Sequence, residues 1–410
     1  MKPTPTRQAA ITDPERGGRY LLGAYYFFYF AVIGVWVPYW PLYLQGLQVP
    51  PEGIGLLLAL PLALKVLGPP IWGTLADAGA RQGVIIGTSF AAVATFGLFF
   101  FGQGFYFLLV VTVLYSFFLA GPLALVEATT MEMVMRTGGD YGRIRLWGSL
   151  GFIVFSVLIG PVLDRFGTTP LLSIIGALSL TTALLTLRLP RPEPHPRARQ
   201  THRQTRLLFA TPGVRWFYLA AMLMQFSHAA YYGFLSIHLE RHGFSHHVIG
   251  LLWGLGVVVE VVMLHHSGRW LERIGPSGIL TGSIAIAALR WTLFATTLWW
   301  PLLILAQVFH GFTFGTYHVA AVRRSHEAAP PGARATAQAW YVAFAYGIGG
   351  SLGLGVAGHL YRALGAEPLF ALMAVAALLG VAASMVSNRL MNATRSSSFM
   401  FDHEKQGVVP

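Results

Sequence analysis

The chain contains no cysteine. That excludes disulfides, thiol chemistry and thiolate metal ligands, and it leaves the compartment unreadable from redox usage. Charge is scarce as well. Only 11% of the 410 residues are Asp, Glu, Lys or Arg, and acids number just 16; soluble domains carry about 25% charged residues. A water-facing surface cannot be assembled from so little charge, so a soluble globular class is excluded. The short motifs of chemistry are missing too. There is no His-Glu-x-x-His, no Gly-x-Ser-x-Gly and no Gly-x-x-x-x-Gly-Lys-Ser/Thr phosphate loop. No enzyme, cofactor or metal site is expected, and ATP does not drive this chain by itself. The first nineteen residues are polar and include Asp13, Pro14 and Glu15. The apolar run after them is too long for a cleavable signal and lacks a processing site, so the first span is expected to stay.

What is present is apolar sequence. Hydrophobic residues make up 55% of the chain and mean hydropathy is +0.58. Crossing the hydrocarbon takes roughly 20 apolar residues per helix. Twelve stretches qualify: 20–44, 53–75, 83–101, 104–128, 146–163, 170–188, 214–237, 248–266, 277–299, 301–321, 337–360 and 367–388. The predicted class is therefore an all-α integral membrane protein of twelve helices. The net charge of +12 could suggest nucleic acid, but its distribution follows topology. With the first residues inside, the external loops hold only Arg165, Arg241 and Arg362, while most Lys and Arg fall at the termini and the opposite loops. This positive-inside pattern predicts both termini in the cytoplasm, no nucleic-acid partner, and the lipid bilayer as solvent.

One boundary stands out. Residues 189–213 are polar and arginine-rich, with four prolines before position 200, and read as a solvated cytoplasmic linker; an anionic-lipid contact is the functional alternative. The organisation expected is a cytoplasmic segment 1–19, a six-helix bundle 20–188, the linker 189–213, a second bundle 214–388 and a cytoplasmic, disordered tail 389–410. A loop signature occurs twice, as Gly73-Thr-Leu-Ala-Asp77 after the second stretch and Gly268-Arg-Trp-Leu-Glu272-Arg273-Ile-Gly275 after the eighth. Each copy starts with Gly and sets a carboxylate four residues later. A repeat at the second helix of each half points to internal duplication, the construction of many secondary transporters. Glycines 347, 349, 350, 353, 355 and 358 give the eleventh stretch overlapping small-residue spacings, which serve either static packing or sliding.

Charges inside hydrocarbon are functional candidates by default. Glu127 and Glu260 are the acids set well inside the spans, and Lys65 and Arg290 the bases. Arg143 and Arg145 stand at the mouth of the fifth stretch. They point about 200° apart on a helix, so only one of them can face Glu127. Glu260 lies roughly 12 Å along the helix from Gly268 at 1.5 Å per residue, at a depth comparable with Arg290. A carboxylate beside a movable cation can load and release a proton; a static ion pair is the structural alternative. Gln307, His310 and Phe314 share one polar-aromatic stripe of the tenth stretch, where His310 is a ligand or proton relay and His318, rotated some 80° away, is structural. Lys65, in mid-span, would attract an anionic group of a substrate if it faces a cavity. Aromatics crowd the first stretch, from Tyr25 to Tyr43, and a flat apolar substrate would stack on those that line a cavity.

The doubled signature resembles the major facilitator superfamily motif Gly-x-Leu-Ala-Asp-Arg-x-Gly. The second copy matches well, while the first continues Ala78-Gly79-Ala80-Arg81 and lacks the arginine. Further stretches resemble the lactose permease and phenylpropionate permease branch: Tyr25 to Gly34 followed by Pro38-Tyr-Trp-Pro41, Tyr141-Gly-Arg-Ile-Arg145-Leu-Trp-Gly-Ser-Leu-Gly151, Arg290-Trp291, and Gln307-x-x-His310-Gly-x-x-Phe314-Gly315. The resemblance implies the major facilitator fold, two pseudo-symmetric six-helix bundles working by alternating access. It implies substrate-binding roles for Glu127 and Arg145, and proton coupling and binding at Arg290 and His310. The departures are informative. Thr313 stands where lactose permeases carry their proton glutamate, Tyr346 where they carry a lysine, and the aspartates of the seventh helix are missing near Tyr231-Tyr232. Glu260 is expected to have taken over proton carriage.

Taken together, the sequence predicts a proton-coupled symporter importing a small organic solute across the bacterial cytoplasmic membrane. An aromatic carboxylate such as phenylpropionate is favoured by Lys65, the aromatic first helix and the loss of sugar-permease charges. Substrate contacts are assigned to Lys65, Glu127, Arg145, Gln307, His310 and Phe314, proton coupling to Glu260, Arg290 and His310, and gating to Gly73, Asp77, Gly268, Glu272, Arg273 and Gly275. Sugar or nucleoside symport and drug–proton antiport are the alternatives, the antiporter pattern being incomplete after Gly160-Pro161. Partners are the substrate and protons; a monomer is expected.

Overall fold

In hydrocarbon no water is available to backbone N–H and C=O groups, so each apolar stretch must bond its backbone internally, as a helix does. The computed structural model describes residues 13–191 and 202–405, and all regular structure among them is helical. Among the described residues eight helices are long and apolar enough to cross a bilayer, and the pair Arg203–Ala210 and Pro212–Arg241, bent by 91° between its members, counts together as a ninth. One of the eight, His246–Thr296, comprises two rods: Gly275 leaves the helical region at φ 77° and ψ 158°, and Pro276 opens the next rod. Positive φ there suits glycine, and proline fits a first helical turn, where its missing N–H costs nothing. Leu171–Thr186 is a shorter apolar helix, and residues 300–328 run on through three contiguous helical segments. These rods account for the twelve predicted stretches.

Two rods widen in mid-course into π-turns, at Gly311–Thr316 and Ala343–Gly350, and a third π-segment, Ala76–Ala80, follows the second rod at the first loop signature. Such bulges appear frequently at functional sites, and the one at Gly311–Thr316 starts directly after His310. The seventh rod is interrupted as well. Helices Pro212–Ser227 and Ala229–Arg241 meet at His228.

The chain divides into two compact units. One gathers the described residues of Met1–Val49, Leu64–Arg197 and Leu239–Gly254, the other those of Pro50–Ala63, Ala198–His238 and Leu255–Pro410. Two short segments, Pro50–Ala63 and Leu239–Gly254, pack with the sequence half to which they do not belong. Within the second unit, a Cβ on Gly358 would meet Pro51 O at 2.6 Å and Glu52 Cα at 2.8 Å, so the backbones touch where no side chain fits. Ser351 Oγ donates to Ala59 O at 3.2 Å, and Arg362 pairs with Glu52. Within the first unit, Gly160 makes the equivalent approach to the backbone at His246 and His247.

Residues 192–201 of the expected linker lie outside the described residues, and His202–Ala210 after them is a helix. Arg203, Arg206, Leu207 and Ala210 are exposed while Leu208 is buried. Phe209 packs its ring 5.5 Å from Tyr218 and 5.3 Å from Trp340, and Gln204 donates to Gly332 O at 3.2 Å. Part of the linker is thus an amphipathic helix docked by one face. The final helix continues from Ala366 to Lys405, well into the segment expected to be disordered.

Candidate functional site

Intramembrane charges gather in two clusters, one in each unit. In the first unit, Glu127 on the Phe105–Thr137 helix and Arg145 on Tyr141–Phe166 stand 3.7 Å apart (Glu127 Oε1 to Arg145 Nε), with side chains 38% and 30% exposed. The arginine head lies 3.9 Å over the Phe30 ring and 5.4 Å from that of Tyr26, whose hydroxyl shares a hydrogen bond with Thr130 at 3.1 Å. Arg143, rotated away as the helical spacing requires, is 87% exposed and pairs with Asp140 at 3.6 Å. Asp140 also caps the helix, accepting from Gly142 N at 2.8 Å. The Glu127–Arg145 pair is long and accessible, so its arginine keeps donors free for a ligand. Most other aromatics of the first helix, including Tyr25, Tyr39 and Trp40, are buried packing residues.

The second cluster centres on Arg290, which is fully buried. Its Nε donates to Ala306 O at 2.8 Å, Nη2 to Gln307 Oε1 at 3.1 Å, and Nη1 to His310 Nδ1 at 3.2 Å and Thr313 Oγ1 at 3.4 Å. The guanidinium lies 4.0 Å over the Tyr231 ring, and Tyr231 Oη donates to the same Gln307 oxygen at 3.1 Å. Nearly every donor of the fork is thus engaged, and the cation is held by dipoles and an aromatic face. Because Nη1 donates to His310 Nδ1, that nitrogen must be the acceptor, which places the imidazole proton on Nε2. Nε2 faces Glu260 Oε2 at 3.8 Å. Phe314 stacks with His310, with ring centroids 5.6 Å apart.

Glu260 and Arg290 come together as expected, but not as a direct pair. His310 stands between them, and among the described residues no carboxylate pairs with Arg290 itself. Sequence spacing had set the depth of both residues; it carried no information on which side chain lies between. Lys65, in the middle of the Pro51–Ala78 span, is exposed and makes no hydrogen bond or ion pair among the described residues. The loop signatures place their charges in the open: Asp77, Glu272 and Arg273 are exposed and make no ion pair among the described residues, while Gly73 is buried, Gly268 exposed, and Gly275 supplies the kink.

Two residues of the second cluster went unpredicted. Tyr231 is the platform beneath Arg290, and His228 is fully buried at the helix break, its Nδ1 2.8 Å from Met224 O and its ring edge-on to Trp291 at 4.8 Å. A histidine in the middle of an apolar stretch was the signal available for the second. Nothing in the sequence distinguishes Tyr231 from a tyrosine facing lipid.

Comparison with known proteins bears on this arrangement. The chain is 32% identical to a protein of Escherichia coli (strain K12) described as a probable 3-phenylpropionic acid transporter, over 86% of this chain and 93% of that one. It is 27% identical to a maltose permease of Geobacillus stearothermophilus, over 87% and 91% of the two chains. The solved structure of the nucleoside transporter NupG superposes with a TM-score of 0.81 at 20% identity, covering 90% of this chain and 98% of that one; at that identity the likeness concerns the fold. Residues 20–372 match the MFS_1 like family, and the chain therefore belongs to that family of multi-pass membrane secondary transporters, which are not enzymes.

Proposed function

We propose that this transporter is a proton-coupled symporter that imports an aromatic carboxylate of the phenylpropionate type across the bacterial inner membrane, with both termini in the cytoplasm. The observation that carries the reading is the Arg290–His310–Glu260 relay. A permanent cation sits in a desolvated pocket, and its balancing carboxylate lies one imidazole away, 17% exposed. Protonating Glu260 removes that balance. A substrate anion that enters with the proton makes the transported pair neutral, so the two cross together at lower electrostatic cost than either alone. The cations open to an anion are Lys65 and Arg145, since the donors of Arg290 are spent on fixed partners. Phe30 beside Arg145, partly exposed, offers an apolar ring to an aromatic substrate. Alternating access would work through the unequal loop signatures, whose free charges are partners for another state of the cycle.

The decisive measurement is uptake into proteoliposomes with an acidic exterior, comparing 3-phenylpropionate, maltose and a nucleoside. Accumulation of the aromatic acid is expected. Accumulation of maltose alone would favour the second reading, sugar symport, which the likeness to the maltose permease supports. In Glu260→Gln, accumulation is expected to fall to about unity from about tenfold per pH unit per proton, while counterflow exchange persists. Full gradient-driven accumulation in that variant would remove Glu260 as the carrier. Lys65→Gln and Arg145→Gln should each raise the half-saturating concentration of the acid by about 10–100-fold, the equivalent of one charge-assisted contact, and leave that of an uncharged analogue unaltered.

A further inference from the structure

The first unit contains a second titratable cluster, far in sequence from the relay and at the helix ends nearest the Gly46–Pro50 turn. His246 opens the His246–Thr296 helix. Asp164, in the last turn of Tyr141–Phe166, accepts the backbone N–H groups of His246 at 2.7 Å (Oδ1) and His247 at 3.1 Å (Oδ2), and so caps that helix across the two sequence halves. The His246 ring lies between two carboxylates. Its Nδ1 is 3.0 Å from Asp164 Oδ1 and its Nε2 is 2.9 Å from Glu240 Oε1. Glu240 Oε2 in turn accepts from Gln45 Nε2 at 2.9 Å, and Tyr39 Oη contacts both Ser156 O at 2.6 Å and His246 O at 3.2 Å. The contacts of this cluster join Gly17–Gly46, Tyr141–Phe166 and the end of Pro212–Arg241 to the start of His246–Thr296: the second and third reach the His246 ring directly, through Asp164 and Glu240, and the first joins through Gln45 and Tyr39.

A neutral imidazole donates from one nitrogen only; both nitrogens here face carboxylate oxygens at hydrogen-bond distance, and only the imidazolium donates to both. We propose that His246 is a second proton-binding site of this transporter, and that its occupancy latches shut the end of the molecule where it sits. On the orientation proposed above that end is the external one; the inference rests on that reading for this assignment alone. The groups facing the ring are Asp164 from Tyr141–Phe166, Glu240 from Pro212–Arg241, and Gln45 and Tyr39, both uncharged, from Gly17–Gly46. On its own helix His247 is the titratable neighbour. Arg165, beside Asp164, turns to the ring of Phe166, with 5.3 Å from its guanidinium carbon to the ring centroid. The cluster is reachable by water: the side chain of His246 is 16% exposed and those of the two acids 31% each. Protons therefore exchange with the medium on that side. The sign follows directly. The latch is complete when the ring is charged at low pH, and it loses one of its two carboxylate contacts as pH rises through the histidine titration.

The absence of native cysteine makes the test clean. Spin labels on Thr169→Cys and Ala363→Cys, both exposed, would report the separation of the two sequence halves by pulsed dipolar spectroscopy without substrate. Raising the pH from about 5 to about 8 should shift the open-to-closed ratio roughly tenfold toward open in the parent protein, the worth of one charge-assisted contact. His246→Gln keeps one donor nitrogen in place of two and cannot be charged, so its distance distribution should not respond to pH. Glu240→Gln, which leaves the cap at Asp164 intact, should reduce the response. An unchanged pH response in His246→Gln, or none in the parent protein, overturns the proposal. Because the readout needs no transport, a chain that binds no aromatic acid or moves no proton with it would fail the uptake assay and still show the response.

Discussion

Replacing Arg290 by Ala is expected to abolish transport and to destabilise the protein by about 3–5 kcal/mol, the range for breaking a buried ionic network from one side. The reason lies in how many groups depend on this guanidinium. Ala306 O, Gln307 Oε1, His310 Nδ1 and Thr313 Oγ1 all accept from it, and the Tyr231 ring is its floor. With the cation gone these buried acceptors lose a donor that no water readily replaces, and Glu260 loses the charge balanced across His310. Arg290→Lys is the sharper test. A lysine retains the charge but cannot reproduce the planar fork, so stability should recover in part while gradient-driven uptake remains at least about tenfold reduced. Thermal unfolding in detergent, paired with proteoliposome uptake, separates the two effects. Native uptake in the Lys variant would show that charge alone matters at this position.

The second large effect is expected at a position with no side chain. At Gly358 the Ala366-proximal end of the Arg334–Leu364 helix meets the backbone of Pro51 and Glu52. Gly358→Leu would place four carbons where a single Cβ already clashes, and the opposing atoms are backbone, which cannot rotate aside. Overpacking of this kind costs about 1–3 kcal/mol even where side chains can yield. Here the segment Pro50–Ala63 must separate from the helix it touches. The Ser351–Ala59 hydrogen bond and the Arg362–Glu52 pair, on either side of the crossing, would part with it. The expected result is a folded transporter trapped open at that end. Uptake should drop by about 100-fold or more, as a shift of roughly 3 kcal/mol in a two-state equilibrium implies, while the substrate is still bound. Equilibrium binding with unchanged affinity alongside lost uptake would fit; undiminished uptake would rule out closure at this crossing as a step of the cycle.

Much of this protein could be read along the chain. Twelve apolar stretches became twelve rods because spanning the bilayer leaves the backbone no choice but internal hydrogen bonds. That only one of Arg143 and Arg145 can face Glu127 was legible from helical geometry, and the resemblance to lactose permeases pointed to Arg145. The comparable depth of Glu260 and Arg290, and the shared stripe of Gln307 and His310, followed from counting residues along rods of known rise. What counting could not supply was azimuth. Depth says that Glu260 and Arg290 lie level; only packing decides that His310 stands between them, that Thr313 turns toward the guanidinium, and that Tyr231 lies flat beneath it. The helix in the linker was hidden for a related reason. Arg203-Gln-Thr-Arg206 reads as solvated until Leu208 and Phe209 are given the Tyr218 and Trp340 surface on which to dock.

The sequence by itself determined the solvent, the number of spans, the duplicated plan and the membership of charged residues in a small set of candidates, because each of these is dictated by local composition or by spacing along a single helix. The tertiary structure decided the partners: a relay through imidazole in place of a direct ion pair, an arginine seated on an aromatic face, backbone crossings at Gly358 and Gly160, and a histidine held between two acids from different halves. These are relations among side chains more than a hundred residues apart or on separate rods, and their energies depend on distances of a few ångströms. No periodicity records such distances; only the packed helices set them.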